Sequence, residues 1–371
     1  MKTTRVDQLI GHTPLIRLNT ISDKAMGMNI YGKLEALNPG YSVKDRSALQ
    51  LIEQAKIDYD LQPGATIVES TSGNMGHALA MLCAINHFKF ICVLDPKTPR
   101  SNVTLVRAFG GRVAMVDSPD ETGSFQKKRI EMARTIAKKT PNCINLDQYN
   151  NPAAIQAHYL TTGPEIYEQT EGKIDALIGS ASTGSHLSGI AKYLKEKNKN
   201  IHIIGVEPVG SVVFGGQFKP FLQNGTGLSF KPGNILDKYV DEVIRVSDRD
   251  AFAACRQLAR TEGLLLGGSS GSVVAAASKY IEHLTKPSII VVVLPDGGLK
   301  YLETIYDDQW LQDHDMSDLV THEGNFVMEE SHMNTPNVAS RSTSDTPGIK
   351  MQIQSDALDA KYSKNSVSAD I

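Results

Sequence analysis

Thr66-Ile67-Val68-Glu69-Ser70-Thr71-Ser72-Gly73-Asn74-Met75-Gly76 decides the fold. It opens as an apolar strand rich in β-branched residues over Thr66–Ser70. It then turns through small hydroxyl residues and glycine into a helix expected over Asn74–Asn86, with Met75, Leu79 and Leu82 at helical spacing. The alternation continues with strand Phe90–Asp95, helix Ser101–Phe109, strand Arg112–Asp117 and helix Ser124–Lys139, which Pro141 ends. A second series has strand Ala176–Ser180, helix Gly184–Lys197 and strand His202–Glu207. Helix Ala251–Glu262, a helix opening at Ser272 and the apolar strand Ile289–Leu294 complete it. Strands alternating with helices imply parallel sheets covered on both faces. The expected fold class is α/β, with two domains of twisted, mostly parallel sheets covered by helices and a cleft between them.

The strand-to-helix turns carry the chemistry. Gly179-Ser180-Ala181-Ser182-Thr183-Gly184-Ser185-His186 repeats the design of the Thr71–Met75 turn, and Gly267-Gly268-Ser269-Ser270-Gly271-Ser272 opens a further helix. Successive backbone N–H groups at a helix N-terminus, with the helix dipole behind them, attract an anion, and small residues let the backbone approach it. Each turn fits an ordinary Ser/Thr cap equally well when taken alone. None is a nucleotide P-loop, because no Gly-Lys-Ser/Thr follows, and none is GxGxxG. Before them stands Asn38-Pro39-Gly40-Tyr41-Ser42-Val43-Lys44-Asp45-Arg46, placing Lys44 at the likely start of a helix after an apolar run. By itself that lysine also fits a solvated helix end. One placed amine plus several anion-cradling loops is the equipment of an enzyme that holds pyridoxal phosphate as a Schiff base. Such a lysine must be neutral often enough to react, which calls for burial or nearby positive charge. Ser182 to His186 then form the phosphate cup, Asn74 reaches a phenolic oxygen, and the Thr71 turn suits a carboxylate. Ser269 suits the pyridine nitrogen. A serine there need not hold that nitrogen protonated, which favours elimination and replacement at Cβ over transamination.

The 371 residues allow two domains or one large unit with a tail, and 41% hydrophobic with 21% charged residues is ordinary for a globular protein. A net charge of −3 gives no reason to expect nucleic acid or an anionic membrane as partner. No apolar run approaches the roughly 20 residues of a membrane helix, and Met1-Lys2-Thr3-Thr4-Arg5 lacks the apolar core of a secretion signal. Cytoplasmic placement is expected. Cys83, Cys92, Cys143 and Cys255 lie far apart with no CxxC pair, so no metal site is expected and they read as small buried hydrophobes. From about Asp313 the chain loses any period, as in Ser340-Arg341-Ser342-Thr343-Ser344-Asp345-Thr346-Pro347-Gly348. A segment of that kind buries too little apolar surface to offset its ordering entropy.

The chain resembles the fold-type-II pyridoxal-phosphate enzymes (tryptophan synthase β-like), specifically the cysteine synthase and cystathionine β-synthase group. The resemblance rests on Gly11-His12-Thr13-Pro14-Leu15-Ile16-Arg17-Leu18, Lys33-Leu34-Glu35, Ser42–Arg46 and Thr71–Asn74. It continues through Thr161-Thr162-Gly163-Pro164-Glu165-Ile166, Ser182–His186, Glu262-Gly263, Gly268–Gly271 and Leu294-Pro295-Asp296. These occur in family order and span residues 5 to about 311. The resemblance implies that Lys44 carries the cofactor and that Asn74 meets its ring hydroxyl. It puts Ser182, Thr183, Gly184, Ser185 and His186 around the phosphate, His186 as a structural member, and Ser269 at the ring nitrogen. It gives Thr71, Ser72, Gly73, Met75 and Gln148 to the substrate carboxylate. It implies a homodimer acting on small amino acids, and domains of 1–40 with 146–312 (large, cofactor-binding), 41–145 (smaller, mobile, with residues near 90–140 moving most) and 313–371 (a mostly disordered tail).

Departures from the family pattern point to the substrate. Tyr149 follows Gln148 where cysteine synthases have Phe, Ser182 opens a loop that usually reads Gly-Thr-Gly-Gly-Thr, and Tyr41 replaces a small residue. With Gly210-Ser211-Val212-Val213-Phe214-Gly215 and Tyr306-Asp307-Asp308-Gln309-Trp310-Leu311, these resemble a narrower branch. Its members make N-(2-amino-2-carboxyethyl)-L-glutamate from O-phospho-L-serine and L-glutamate, a precursor of 2,3-diaminopropionate for siderophores and peptide antibiotics. A phosphate leaving group and a dicarboxylate nucleophile call for fixed positive charge, for which Arg129 is the first candidate and Arg100 the second; each equally fits a solvated helix charge. A cysteine synthase using sulfide is the alternative within the family. A catalytically silent pyridoxal-phosphate-binding scaffold is the alternative outside enzymology, and lyase or racemase chemistry also fits the fold.

Overall fold

A computed structural model describes residues 2–23, 27–121 and 123–320. Ten strands form two sheets: β1 (Leu15–Arg17), β2 (Met28–Leu34), β3 (Thr66–Ser70), β4 (Lys89–Leu94), β5 (Arg112–Met115), β6 (Cys143–Asn145), β7 (Ala176–Ser180), β8 (His202–Pro208), β9 (Glu242–Val246) and β10 (Ser288–Leu294). The larger sheet has the order β1-β2-β10-β7-β8-β9 and is parallel except for β1, which runs antiparallel to β2. The smaller, β5-β4-β3-β6, is wholly parallel. The expected α/β class with two mostly parallel sheets is the observed one.

The apolar strands are apolar throughout because both their faces are covered. In β10, Ile290, Val292 and Leu294 enter a core beneath helices Asp248–Glu262 and Gly268–Ile281. The alternate residues Val291 and Val293 enter the opposite core with Leu187 and Ile190 of helix Ser185–Lys197. In the smaller sheet Ile67 and Phe90 pack against helices Lys44–Asp58 and Asn74–Ile85. Val68 and Val93 pack against Ala133 of helix Gln126–Lys139.

Two departures from the sequence analysis have physical causes. The helix expected from Ser272 opens earlier, at Gly268, so Ser269 lies in its first turn. Glycine hides the helix in the sequence but is required in the structure. A Cβ on Gly271 would stand 2.0 Å from the Ala251 carbonyl oxygen and 2.5 Å from Cys255 Sγ, so the two helices pack this closely only around glycine. Structure also continues past Asp313, where the period is lost: helix Asp308–Asp313 leads to a short 3₁₀ turn at Ser317–Leu319, with Leu311 and Met316 buried. Most of the expected tail, residues 321–371, lies outside the described residues.

A buried ionic network fixes the start of helix Lys44–Asp58. The Arg46 guanidinium donates to Glu35 (2.7 and 2.8 Å) and Glu165 (2.6 and 2.8 Å). Lys33 donates to Glu165 at 2.6 Å, and the Thr13 hydroxyl donates to Glu35 at 2.7 Å. Lys33 and Glu35 are fully buried. The motifs around Thr13, Lys33-Leu34-Glu35, Arg46 and Glu165, far apart in sequence, thus meet in one structural cluster two residues beyond Lys44.

Candidate active site

A cavity of about 420 Å³ opens at the C-terminal ends of both sheets' central strands, where Lys44, the Thr71–Met75 turn, Gln148, Tyr149, Ser182 and Thr183 all line it. Three helices begin at its edge, at Lys44, Asn74 and Ser185, so their N–H groups and dipoles converge there. Gly184 makes the last turn possible. Its φ is +88°, and a Cβ would lie 2.8 Å from the Asn234 carbonyl oxygen.

Lys44 is held below its ordinary pKa, to about 8, first by burial and also by the positive charge of Lys300, against the opposing pull of Asp296. Of the burial or nearby positive charge that such a lysine calls for, both are present, the charge being a second lysine. Burial disfavours the ammonium, so neutral amine prevails above about pH 8 instead of above the usual value near 10.5. Combination of the cofactor-free protein with pyridoxal phosphate is therefore expected to accelerate with a midpoint near pH 8 in stopped-flow absorbance; a midpoint near 10 would show an ordinary lysine.

The remaining residues divide by depth. Ser182 and Thr183 line the cavity, whereas Gly184, Ser185 and His186 lie behind them. His186 is buried, its Nε2 has no partner, and burial brings its pKa down to about 3, so the ring is neutral. Ser269 is buried beneath Gly225, its Oγ 4.0 Å from where a Cβ on that glycine would be, and Gly225 lines the cavity. Asn74 donates through Nδ2 to Asp296 at 2.8 Å. Asn102 supports the Thr71–Met75 turn by donating to the Ser72 carbonyl at 2.8 Å. Gln148 donates to the Ser70 carbonyl at 2.8 Å, and Tyr149 packs against Phe230 with ring centroids 5.3 Å apart.

The two arginine candidates part company. Arg129 lines the cavity, is 5% exposed and pairs through Nε with the Asp95 carboxylate at 3.2 Å, while its Nη1 has no hydrogen-bond partner. Arg100 opens helix Arg100–Ala108 with its side chain exposed and does not line the cavity, although its neighbour Pro99 does. Tyr41 is likewise exposed, at a φ of +63°, and stands away from the cavity.

Sequence reasoning missed three contributors. The loop Gln223-Asn224-Gly225-Thr226-Gly227-Leu228 forms one wall and docks on the Ala181–His186 turn, Gly227 N–H and the Thr226 hydroxyl donating to the Ala181 carbonyl at 2.7 and 3.1 Å. Its Asn-Gly and Gly-Thr-Gly steps were a readable turn signal. Buried Asn234 donates to the Gln148 carbonyl at 3.0 Å and accepts, through its own carbonyl, from Ser188 at 2.7 Å, tying the Gln148 segment to helix Ser185–Lys197. Lys300 has no signal in the sequence at all.

The residues fit the group. An amine of lowered pKa faces a cavity ringed by helix N-termini, whose small-residue turns leave room for an anion beside them. These features define an imine-forming enzyme that holds an anionic aldehyde. The profile described as "Pyridoxal-phosphate dependent enzyme" matches residues 6–296, and the chain belongs to that family. It is 37% identical to the N-(2-amino-2-carboxyethyl)-L-glutamate synthase of Ralstonia nicotianae over 302 residues, 81% of this chain and 89% of that protein. It is 38% identical to a cysteine synthase of Staphylococcus aureus, over 81% of this chain and 95% of the other. A hydrogen sulfide-producing enzyme from Fusobacterium nucleatum superposes with a TM-score of 0.76 at 37% identity, covering 81% of this chain and all of that one. The fold is fold type II, and the chain is a pyridoxal-phosphate-dependent enzyme of the cysteine synthase family. Among the described residues no helix is long and apolar enough to cross a membrane.

Proposed function

We propose that this enzyme replaces the phosphate of O-phospho-L-serine with the amine of L-glutamate, giving N-(2-amino-2-carboxyethyl)-L-glutamate for 2,3-diaminopropionate, and hence siderophore or antibiotic, biosynthesis. The observation that carries this reading is Arg129: a buried guanidinium on the wall of the cavity that Lys44 also lines, its Nε paired with Asp95 and its Nη1 without a hydrogen-bond partner. A departing phosphate carries more negative charge than a departing acetate, so the phosphate reading makes the greater use of that guanidinium. The bound cofactor supplies the electron sink. Lys44 gives up its place to the amino acid, takes the proton from Cα as general base and later returns it. Thr71, Ser72, Gly73, Met75 and Gln148 hold the α-carboxylate. Ser182, Thr183, Gly184, Ser185 and His186 hold the cofactor's phosphate, Asn74 its ring oxygen and Ser269 its ring nitrogen. Arg129 neutralises the departing phosphate, and the Tyr149 and Ser182 hydroxyls receive the nucleophile. Arg100, exposed and off the cavity, is left without that role.

Arg129→Ala is expected to lower kcat/KM for phosphoserine by about 10²- to 10³-fold, the loss of a charge-assisted pair formed at the leaving group, measured by phosphate release. An unchanged rate removes Arg129 from the chemistry. Tyr149→Phe with Ser182→Gly is expected to abolish use of glutamate while sparing phosphate loss. Silence of that pair favours the cysteine synthase reading, which the Staphylococcus aureus relative supports. We further propose a cytoplasmic homodimer whose residues 41–145, built around the smaller sheet, close over bound substrate against the larger body of 1–40 and 146–312.

A further inference from the structure

Lys300 is a second lysine beside Lys44, and none of the roles proposed above falls to it. Its ammonium contacts Asn74 Oδ1 and lies 3.0 Å from Asp296 Oδ2. The same Asp296 oxygen accepts from Asn74 Nδ2 at 2.8 Å and from the Tyr301 hydroxyl at 2.7 Å. Asp296 is 1% exposed and Lys300 largely buried, on the wall of a small side pocket that shares Ser72, Gly73 and Asn74 with the main cavity.

Two consequences follow from elementary electrostatics. A cation on Oδ1 permits only one orientation of the Asn74 amide, because an NH₂ group cannot face an ammonium. Asp296 is also tied to the lysine loop: Val43 N–H donates to the Pro295 carbonyl at 2.8 Å, and Ser42 bridges to Asp296. A buried carboxylate there acts on Lys44 through a low dielectric unless something neutralises it. The groups facing the pair do not. Lys44 and Asp45 come from one helix, and burial raises Asp45 to about 7. His77 comes from the next and is held neutral, down to about 4, by burial and by Lys300. Tyr301 only donates. Lys300 is the counter-charge.

We propose that Lys300 is a positioning residue that neutralises Asp296 and fixes the Asn74 amide, and thereby sets the pH at which the nitrogen joining Lys44 to its cofactor takes up a proton. This rests on the reading that Lys44 carries pyridoxal phosphate. With Lys300 present the extra proton is disfavoured; without it, the unpaired Asp296 favours that proton.

The test is a pH titration of the visible absorbance of purified holoenzyme without substrate, for wild type, Lys300→Met, Lys300→Arg and Asp296→Asn. Lys300→Met is expected to raise the midpoint by about one pH unit, a tenfold change in proton occupancy. Lys300→Arg should restore it, and Asp296→Asn should move it the other way. Opposite shifts of two variants at adjacent groups are not produced by loss of packing, and Asp296→Asn still tests the idea if Lys300→Met does not fold. An unchanged midpoint in Lys300→Met, or shifts of the same sign in both variants, overturns the proposal. Failure of the underlying reading looks different: the wild-type absorbance would survive Lys44→Ala.

Discussion

Lys44→Ala is expected to slow β-replacement by at least about 10³-fold, because one side chain both presents the cofactor and moves the Cα proton. The site makes that amine hard to replace. It sits at the first turn of its helix, in a cavity whose burial and neighbouring Lys300 bring its pKa to about 8. Asp45 beside it is buried, accepts from the Gly40 N–H and does not line the cavity, so it is no substitute base. His186 is neutral in the interior and lies off the cavity wall. Single-turnover assays of phosphate release, with fluorescence to confirm folding, check the prediction. Retention of more than about a tenth of the wild-type rate would move the general base elsewhere.

The second large effect is on stability. Arg46→Ala is expected to destabilise the fold by about 3–5 kcal/mol, because it strands Glu35 in the interior without its cation. Glu35 is fully buried, and Arg46 supplies two of its hydrogen bonds. The network also gives a pH signature. Burial works to raise Glu165, but Arg46 and Lys33 outweigh it and bring its pKa down to about 2. A carboxylate with a depressed folded pKa contributes stability above its unfolded value, near 4.5, and loses it as pH falls towards 2. Denaturant titrations at pH 7 and pH 3 should show Arg46→Ala much weaker than wild type at pH 7 and closer to it at pH 3. An equal gap at both would mean that the network contributes packing and not charge.

Strands buried on both faces were legible as they stood. Thr66–Ser70 and Ala176–Ser180 are short segments with β-branched or aliphatic centres bounded by turns, and both bounds agree with the structure. Strands with a weaker pattern were not. Leu15–Arg17 is short and half-buried throughout, and Glu242–Val246 is a sheet-edge strand carrying Glu242 and Arg245. In the candidate site the anion-binding turns declared themselves through composition, because small residues at a helix start are what such turns require. Lys300 could not: it meets Asn74 across 226 residues, and only the order of strands in the two sheets brings them together. Arg129 and Arg100 looked alike in the sequence, both cations near a helix start. Burial separates them, and burial of one side chain on a helix face depends on what packs there.

The most direct test of the account follows the products of purified protein and pyridoxal phosphate by mass spectrometry, with phosphoserine plus either glutamate or sulfide. A glutamate adduct formed with release of phosphate is the predicted result, and would make Tyr149 and Ser182 specificity residues. Cysteine as the sole product, with glutamate left untouched, would contradict it and make this enzyme a sulfhydrylase.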